Sequence, residues 1–181
     1  MLVTEVPGGF SLDPKGTANS GETLQVPNTG SVASKSDCGQ LSATSFISTT
    51  GVSGVSFAQS DYADKANNEI SQEIDTFHKG DGVLVMNRMR QVLGQCAKFS
   101  LKADGVNASM QTKVSPVRGL GNEAVRAVIT APQFYGGLTL VVARVGDNVV
   151  SAFYNDMAGS YTDGHVVDLV SKIVAKVKAG T

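Results

Sequence analysis

The sequence predicts an α+β domain built on a mostly antiparallel β-sheet packed by helices on one face. Three observations carry that expectation. Short runs alternate apolar and polar side chains, the period of a half-buried strand. Asp104-Gly105 and Gly146-Asp147 separate two pairs of such runs, as hairpin turns do. Two longer stretches, one opening at Asp81 and one after Thr162, repeat apolar residues at steps of three and four, the spacing of an amphipathic helix.

In chain order, residues 1–35 form a loop-rich N-terminal segment packed on the domain, and 36–181 form its α/β body. Pro7-Gly8-Gly9, Pro14, Gly16, Gly21, Pro27 and Gly30 punctuate the first part and leave room for one short strand at Phe10-Ser11-Leu12. Ser36-Asp37 offers an N-cap for a short helix through Cys38, Leu41 and Phe46. Val52, Val55 and Phe57 mark a strand within 51–60. Over 69–77, Ile70, Gln72, Ile74 and Thr76 alternate with Glu69, Ser71, Glu73 and Asp75, which predicts a half-buried strand with a solvated acidic face. Such a face needs no metal, because same-side neighbours on a strand stand about 7 Å apart.

The stretch 81–99 is the first strong helix, with Val85, Met89, Val92, Cys96 and Phe99 on its apolar stripe and Asp81 as its cap. Arg88, Arg90 and Lys98 then fall on its solvated side, an ordinary charged face rather than a nucleic-acid footprint. A hairpin of 99–102 and 108–114 follows, then a strand over 124–130 and a second hairpin of 138–145 and 148–155. After the loop 157–161, Thr162 or Asp163 caps a terminal helix. Its stripe is Val166, Leu169, Val170, Ile173, Val174 and Val177, and Lys176 and Lys178 near its end suit the helix dipole. No internal repeat or second domain is legible.

A chain of 181 residues fits one domain. Its charged content of 17% is below the roughly 25% usual for soluble domains, and uncharged polar residues and glycine fill the deficit. That balance suits the outside of a cell. The net charge of -1 provides no field for nucleic acid or anionic lipid. Cys38 and Cys96 are either a reduced buried pair, as in a cytosolic protein, or one bridge in a secreted one. The bridge would close a loop long enough to stabilise by about 4 kcal/mol on the chain-entropy model. No apolar run exceeds four residues, the length of Leu140-Val141-Val142-Ala143, which is too short to span a bilayer. No basic or apolar leader opens the chain, so export and a lipid anchor would depend on a segment upstream of residue 1.

No stretch of the sequence carries a complete catalytic or metal-binding pattern. Gly51-Val52-Ser53-Gly54 lacks the full nucleophile elbow. His78 and His165 read as exposed residues at a strand end and a helix start, and neither has close ligands in a zinc pattern. Gly119-Leu120-Gly121-Asn122-Glu123-Ala124 formally fits a dinucleotide fingerprint, but it leads into a strand where the phosphate would need a helix N-terminus. It reads as a glycine-hinged loop. The expectation is no catalytic residue, no metal and no cofactor. Asn107-Ala108-Ser109 matches a glycan acceptor.

A two-residue turn at Gly146-Asp147 would fix the register of the last hairpin. Leu138, Leu140, Val142, Val149 and Phe153 then share a bulky face, expected to carry the helices. Thr139, Val141, Ala143, Val150, Ala152 and Tyr154 share a face of mostly smaller side chains, expected to leave a concave ligand surface. Thr139 and Tyr154 would line it, with Arg126 or Arg144 at its edge.

Val6-Pro7-Gly8-Gly9-Phe10, then Cys38 with Leu41 beyond it, then Gln95-Cys96-Ala97-Lys98-Phe99 follow one another along the chain. The Gly119–Ala124 loop and the Val142-Ala143-Arg144-Val145-Gly146-Asp147-Asn148-Val149-Val150 hairpin come after them. In these motifs and their order the chain resembles the PknH-like extracellular sensor domain family of actinobacteria. The resemblance implies a mostly antiparallel sheet packed by helices, facing outside the cell and without enzymatic activity. The best-known member is the receptor end of a transmembrane kinase. Its polar cleft is thought to bind a ligand, and it has two disulfides where this chain can form one. No binding residue carries over.

The expected function is therefore an extracellular ligand-binding or sensor module of a cell-surface lipoprotein, acting on an unknown small ligand or envelope protein. The alternative is a structural or protein-interaction domain of the envelope with no small ligand, which would show a broad exposed apolar patch.

Overall fold

A computed structural model describes residues 2–21, 32, 35–42, 49–103, 106–133, 135–156 and 163–180 of the chain. Eight strands among them, β1 (Ser11–Asn19), β2 (Gly54–Ala63), β3 (Glu69–Phe77), β4 (Lys98–Ala103), β5 (Val106–Pro116), β6 (Glu123–Thr130), β7 (Gly137–Val145) and β8 (Asn148–Asp156), form one sheet. The spatial order is β1-β2-β3-β8-β7-β6-β5-β4, with every neighbouring pair antiparallel. Two meanders thus meet where β3 pairs with β8. Helix α1 (Asp81–Gln95) links β3 to β4 at the far edge, and α2 (Asp163–Gly180) follows β8. The α+β class is as the sequence predicts.

The last hairpin keeps its expected register. Val145 pairs with Asn148 across Gly146-Asp147, Leu140 pairs with Phe153 and Thr139 with Tyr154. Gly146 has φ 62, the positive value that a tight two-residue turn asks of its first central residue. Ala103 pairs with Val106 in the other hairpin, and Asp104-Gly105 lie outside the described residues.

The helices do not share one face. The α1 side chains Val85, Met86, Met89, Val92 and Leu93 pack with Leu138, Leu140, Val142, Val149 and Phe153. On the opposite face Val166, Leu169, Val170, Ile173, Val174 and Val177 of α2 pack with Val141, Ala143, Val150, Ala152 and Tyr154. The physical reason is visible in β7 and β8, which are apolar on both sides and must be covered on both. The face of smaller side chains is covered by α2 rather than left open.

Three further expectations change. The short strand at 10–12 runs on to Asn19 as the edge strand β1, and its register with β2 breaks between Asp13 and Ala18. Pro14 lies in that break, where an edge strand tolerates a missing N–H. The first helix stops at Gln95 rather than Phe99, so Lys98 and Phe99 belong to β4. The acidic side of β3 is not solvated: Glu73 is 1% exposed and Asp75 0%, because β3 sits mid-sheet between two covered faces.

Cys38 and Cys96 are bridged, with their Cα atoms 5.6 Å apart. The bond ties a 3-10 helix (Lys35–Ser42) to the C-cap of α1, and both cysteines are buried in the core on the α1 side. Phe46, expected in that first helix, lies outside the described residues, as does the Met157–Tyr161 loop. No helix among the described residues is long and apolar enough to cross a membrane.

Candidate functional site

Three of the four expected ligand contacts share one face of the sheet. Thr139 on β7 and Tyr154 on β8 are direct cross-strand partners, and Arg126 on β6 sits one step diagonally away, opposite Val141. Thr139 and Tyr154 are buried, at 7% and 3% exposure. Tyr154 packs edge-to-face against Phe10, with ring centroids 6.2 Å apart. Arg126 is only half-buried, so it stands at the rim of this packed region.

The N-terminal segment helps to close that face. Val3, 4% exposed, crosses β3 and is held by the side chain of Gln72 acting as a surrogate peptide group. The Val3 N–H donates to Gln72 Oε1 at 2.9 Å, and Gln72 Nε2 donates back to the Val3 carbonyl. The Tyr62 hydroxyl donates to the same carbonyl at 3.3 Å, and Lys176 Nζ on α2 donates to the Leu2 carbonyl at 3.0 Å. Leu2, Val6 and Phe10 complete the apolar side of this strap.

Arg144 does not join the other three. Register places it on the α1 face, opposite Glu123. Its Nε donates to Glu123 Oε1 at 2.7 Å, its Nη1 donates to the Gly146 carbonyl at 3.0 Å, and Arg90 of α1 pairs with the other oxygen of Glu123. Burial pushes the Glu123 carboxyl up, but the guanidinium groups of Arg90 and Arg144 outweigh it and leave the group below its ordinary value. The Asn122 side chain accepts from the Gly146 N–H at 2.7 Å, and the Asn122 N–H donates to the Arg144 carbonyl at 2.7 Å. Gly121, with φ 64, brings this loop so close that a Cβ would stand 2.3 Å from the Arg144 carbonyl oxygen. The Gly-x-Gly-x-x-Ala stretch is thus a loop clamped to a hairpin, as its lead into a strand implied.

A polar interior on β3 was the feature that sequence reasoning missed. Ser71, Gln72, Glu73 and Asp75 are all buried. At its β2 side, Ser71 Oγ donates to Asp61, and Gln59 Nε2 donates to both Asp61 oxygens at 3.1 and 3.0 Å. Burial nonetheless holds the Asp61 carboxyl above its ordinary value; these hydrogen bonds pull it down, and nearby Asp13 pushes it up. The available signal was the β7-β8 pattern: two apolar faces mean two covered faces, and hence a central strand dry on both sides.

No family model matches the chain, and no curated protein matches it. Among solved structures, the crystal structure of the extracellular domain of PknH from Mycobacterium tuberculosis is similar in fold, with a TM-score of 0.56 and 12% identity. The match covers 92% of this chain and 81% of that one. At that identity the likeness is one of fold.

Proposed function

We propose that this chain is an extracellular ligand-binding or sensor module, held at the cell surface by a lipid anchor and acting by binding rather than catalysis. The observation that carries this reading is the fold shared, over 92% of the chain, with the extracellular domain of PknH. A buried Cys38–Cys96 disulfide supports the same compartment, because such bonds persist where the surroundings are oxidising. His78, between β3 and α1, and His165, near the start of α2, are both exposed, and this reading gives neither a catalytic role. In this reading Thr139 and Tyr154, packed under α2 and the strap, contact a ligand that reaches them past half-buried Arg126 at the rim of that face. Arg144 belongs to the clamp on the other face.

The test is labelling of intact cells with an amine reagent that cannot cross membranes. An extracellular chain is labelled before lysis, at exposed lysines such as Lys79 and Lys172. Labelling only after lysis would overturn the reading. For the site, Tyr154→Phe keeps the ring packing and removes the hydroxyl. An unchanged ligand-induced thermal shift in that variant and in Arg126→Ala would remove both residues from it.

A further inference from the structure

α2 covers β7 and β8 but not the outer half of the same face. On β4, β5 and β6 the side chains pointing to this side include Lys98, Lys102 and Lys113, all exposed, with half-buried Arg126 beyond them. Register fixes their layout. Lys98 pairs with Gln111, two residues from Lys113, and Lys113 pairs with Val128, two residues from Arg126. Each of those diagonal steps is about 8 Å, and Lys98 to Lys102 is about 13 Å along one strand. Four cations therefore form a diagonal stripe across three strands. No carboxylate occupies a position on this face of those strands among the described residues. Ser100, Ser109, Gln111 and Thr130, all exposed, fill the places between.

Lysines on an edge strand can serve only to prevent edge-to-edge pairing, and that would account for Lys98 and Lys102 on β4. It does not account for Lys113, one strand further in. We propose that this face binds a linear acidic polysaccharide, its carboxylates on the lysine stripe and its hydroxyl groups on the serine, threonine and glutamine side chains between them. The stripe fixes the charge of the occupant. Among the described residues, the β4, β5 and β6 positions on this face include no exposed large apolar side chain such as a folded protein partner would use as an anchor; the fully exposed Tyr135 lies beyond them, in the loop after β6. The inference deepens the extracellular binding reading and rests on it for access to such a polymer, but not on the Thr139–Tyr154 site.

The experiment is calorimetric titration of the whole chain with oligogalacturonate, repeated over a salt series, with polyglutamate and polyphosphate of equal charge as comparisons. The expected result is binding that weakens with salt, falls by about tenfold or more in Lys98→Glu/Lys113→Glu and is unchanged in Lys15→Glu. Lys98→Gln/Lys113→Gln, checked by its thermal unfolding, guards against a fold defect and should also bind more weakly. Absence of oligogalacturonate binding, or equal binding by the charge-altered variants, overturns the proposal. Equal binding of polyglutamate or polyphosphate overturns the polysaccharide assignment, since charge alone would then suffice. Failure here with successful cell-surface labelling would leave the extracellular reading standing.

Discussion

Asp147 caps helix α1 from a distant hairpin: its Oδ1 accepts the backbone N–H of Gly80 at 2.9 Å and that of Gly82 at 3.3 Å. Asp81, which the sequence offers as the cap, instead lies in the first turn, and the N-cap is Gly80 in the left-handed region with φ 92. The close approach depends on Gly82, where a Cβ would meet the Gly146 carbonyl oxygen at 2.7 Å. The cap therefore fastens the α1 layer to the β7-β8 turn.

Asp147→Ala should lower stability by about 1 kcal/mol, the usual cost of losing an N-cap acceptor. Asp147→Asn, which keeps a side-chain carbonyl oxygen, should lose much less. Urea unfolding of the three proteins checks this, and equal midpoints for all three would remove the cap from the energetics.

The Gln72 clamp supports a second prediction. Gln72→Leu keeps roughly the same volume but leaves the buried Val3 N–H without its acceptor, while Tyr62 still reaches the Val3 carbonyl. An orphaned buried donor costs about 1–3 kcal/mol. Amide hydrogen exchange should accelerate over residues 2–10 more than in the sheet. Uniform acceleration across the chain would show that the strap has no separate anchorage at Gln72.

How much of this was legible follows from which residues act locally. The β7-β8 hairpin is fixed by a glycine turn and strict alternation, so its register, including the Thr139–Tyr154 pair, follows from neighbours along the chain. Helix α2 likewise announces its stripe. What sequence could not assign was the partner of each face. The small side chains Ala143 and Ala152 fit an open concavity or a closely packed helix equally well, and only the three-dimensional path of α2 decides between them. The same limit applies to Glu73 and Asp75. Alternating acids predict water on one side unless both faces of the sheet are known to be covered.

Asp61 makes stability depend on pH in a stated direction. Its folded-state pKa is raised, chiefly by burial, so the folded chain holds the proton to higher pH than the unfolded chain does. The folded state consequently loses stability as pH rises from the ordinary aspartate range through the raised value. Asp61→Asn cannot lose a proton, so its stability relative to the parent should increase over that window and level off above it. Paired denaturant titrations across the acidic range measure the difference. A difference that is constant with pH would mean that Asp61 titrates alike in both states.

The Cys38–Cys96 bond spans a sequence separation of 58 and joins the 3-10 helix, itself packed on Leu101 through Gly39, to the end of α1. A loop of that length stabilises by about 4 kcal/mol if its effect lies in the unfolded chain, and by less if the native state adapts to the cut. Cys38→Ser/Cys96→Ser should therefore lose about 2–4 kcal/mol in urea unfolding. Both cysteines are almost completely buried, so in the native protein reductant should act slowly, through opening of the 3-10 helix rather than direct attack. Intact mass after alkylation separates the cases. The oxidised chain, denatured without reductant, should take up no label, and after reduction it should take up label at both cysteines. Full labelling without reductant, in protein prepared under oxidising conditions, would show two thiols and would remove the disulfide's support for an extracellular location.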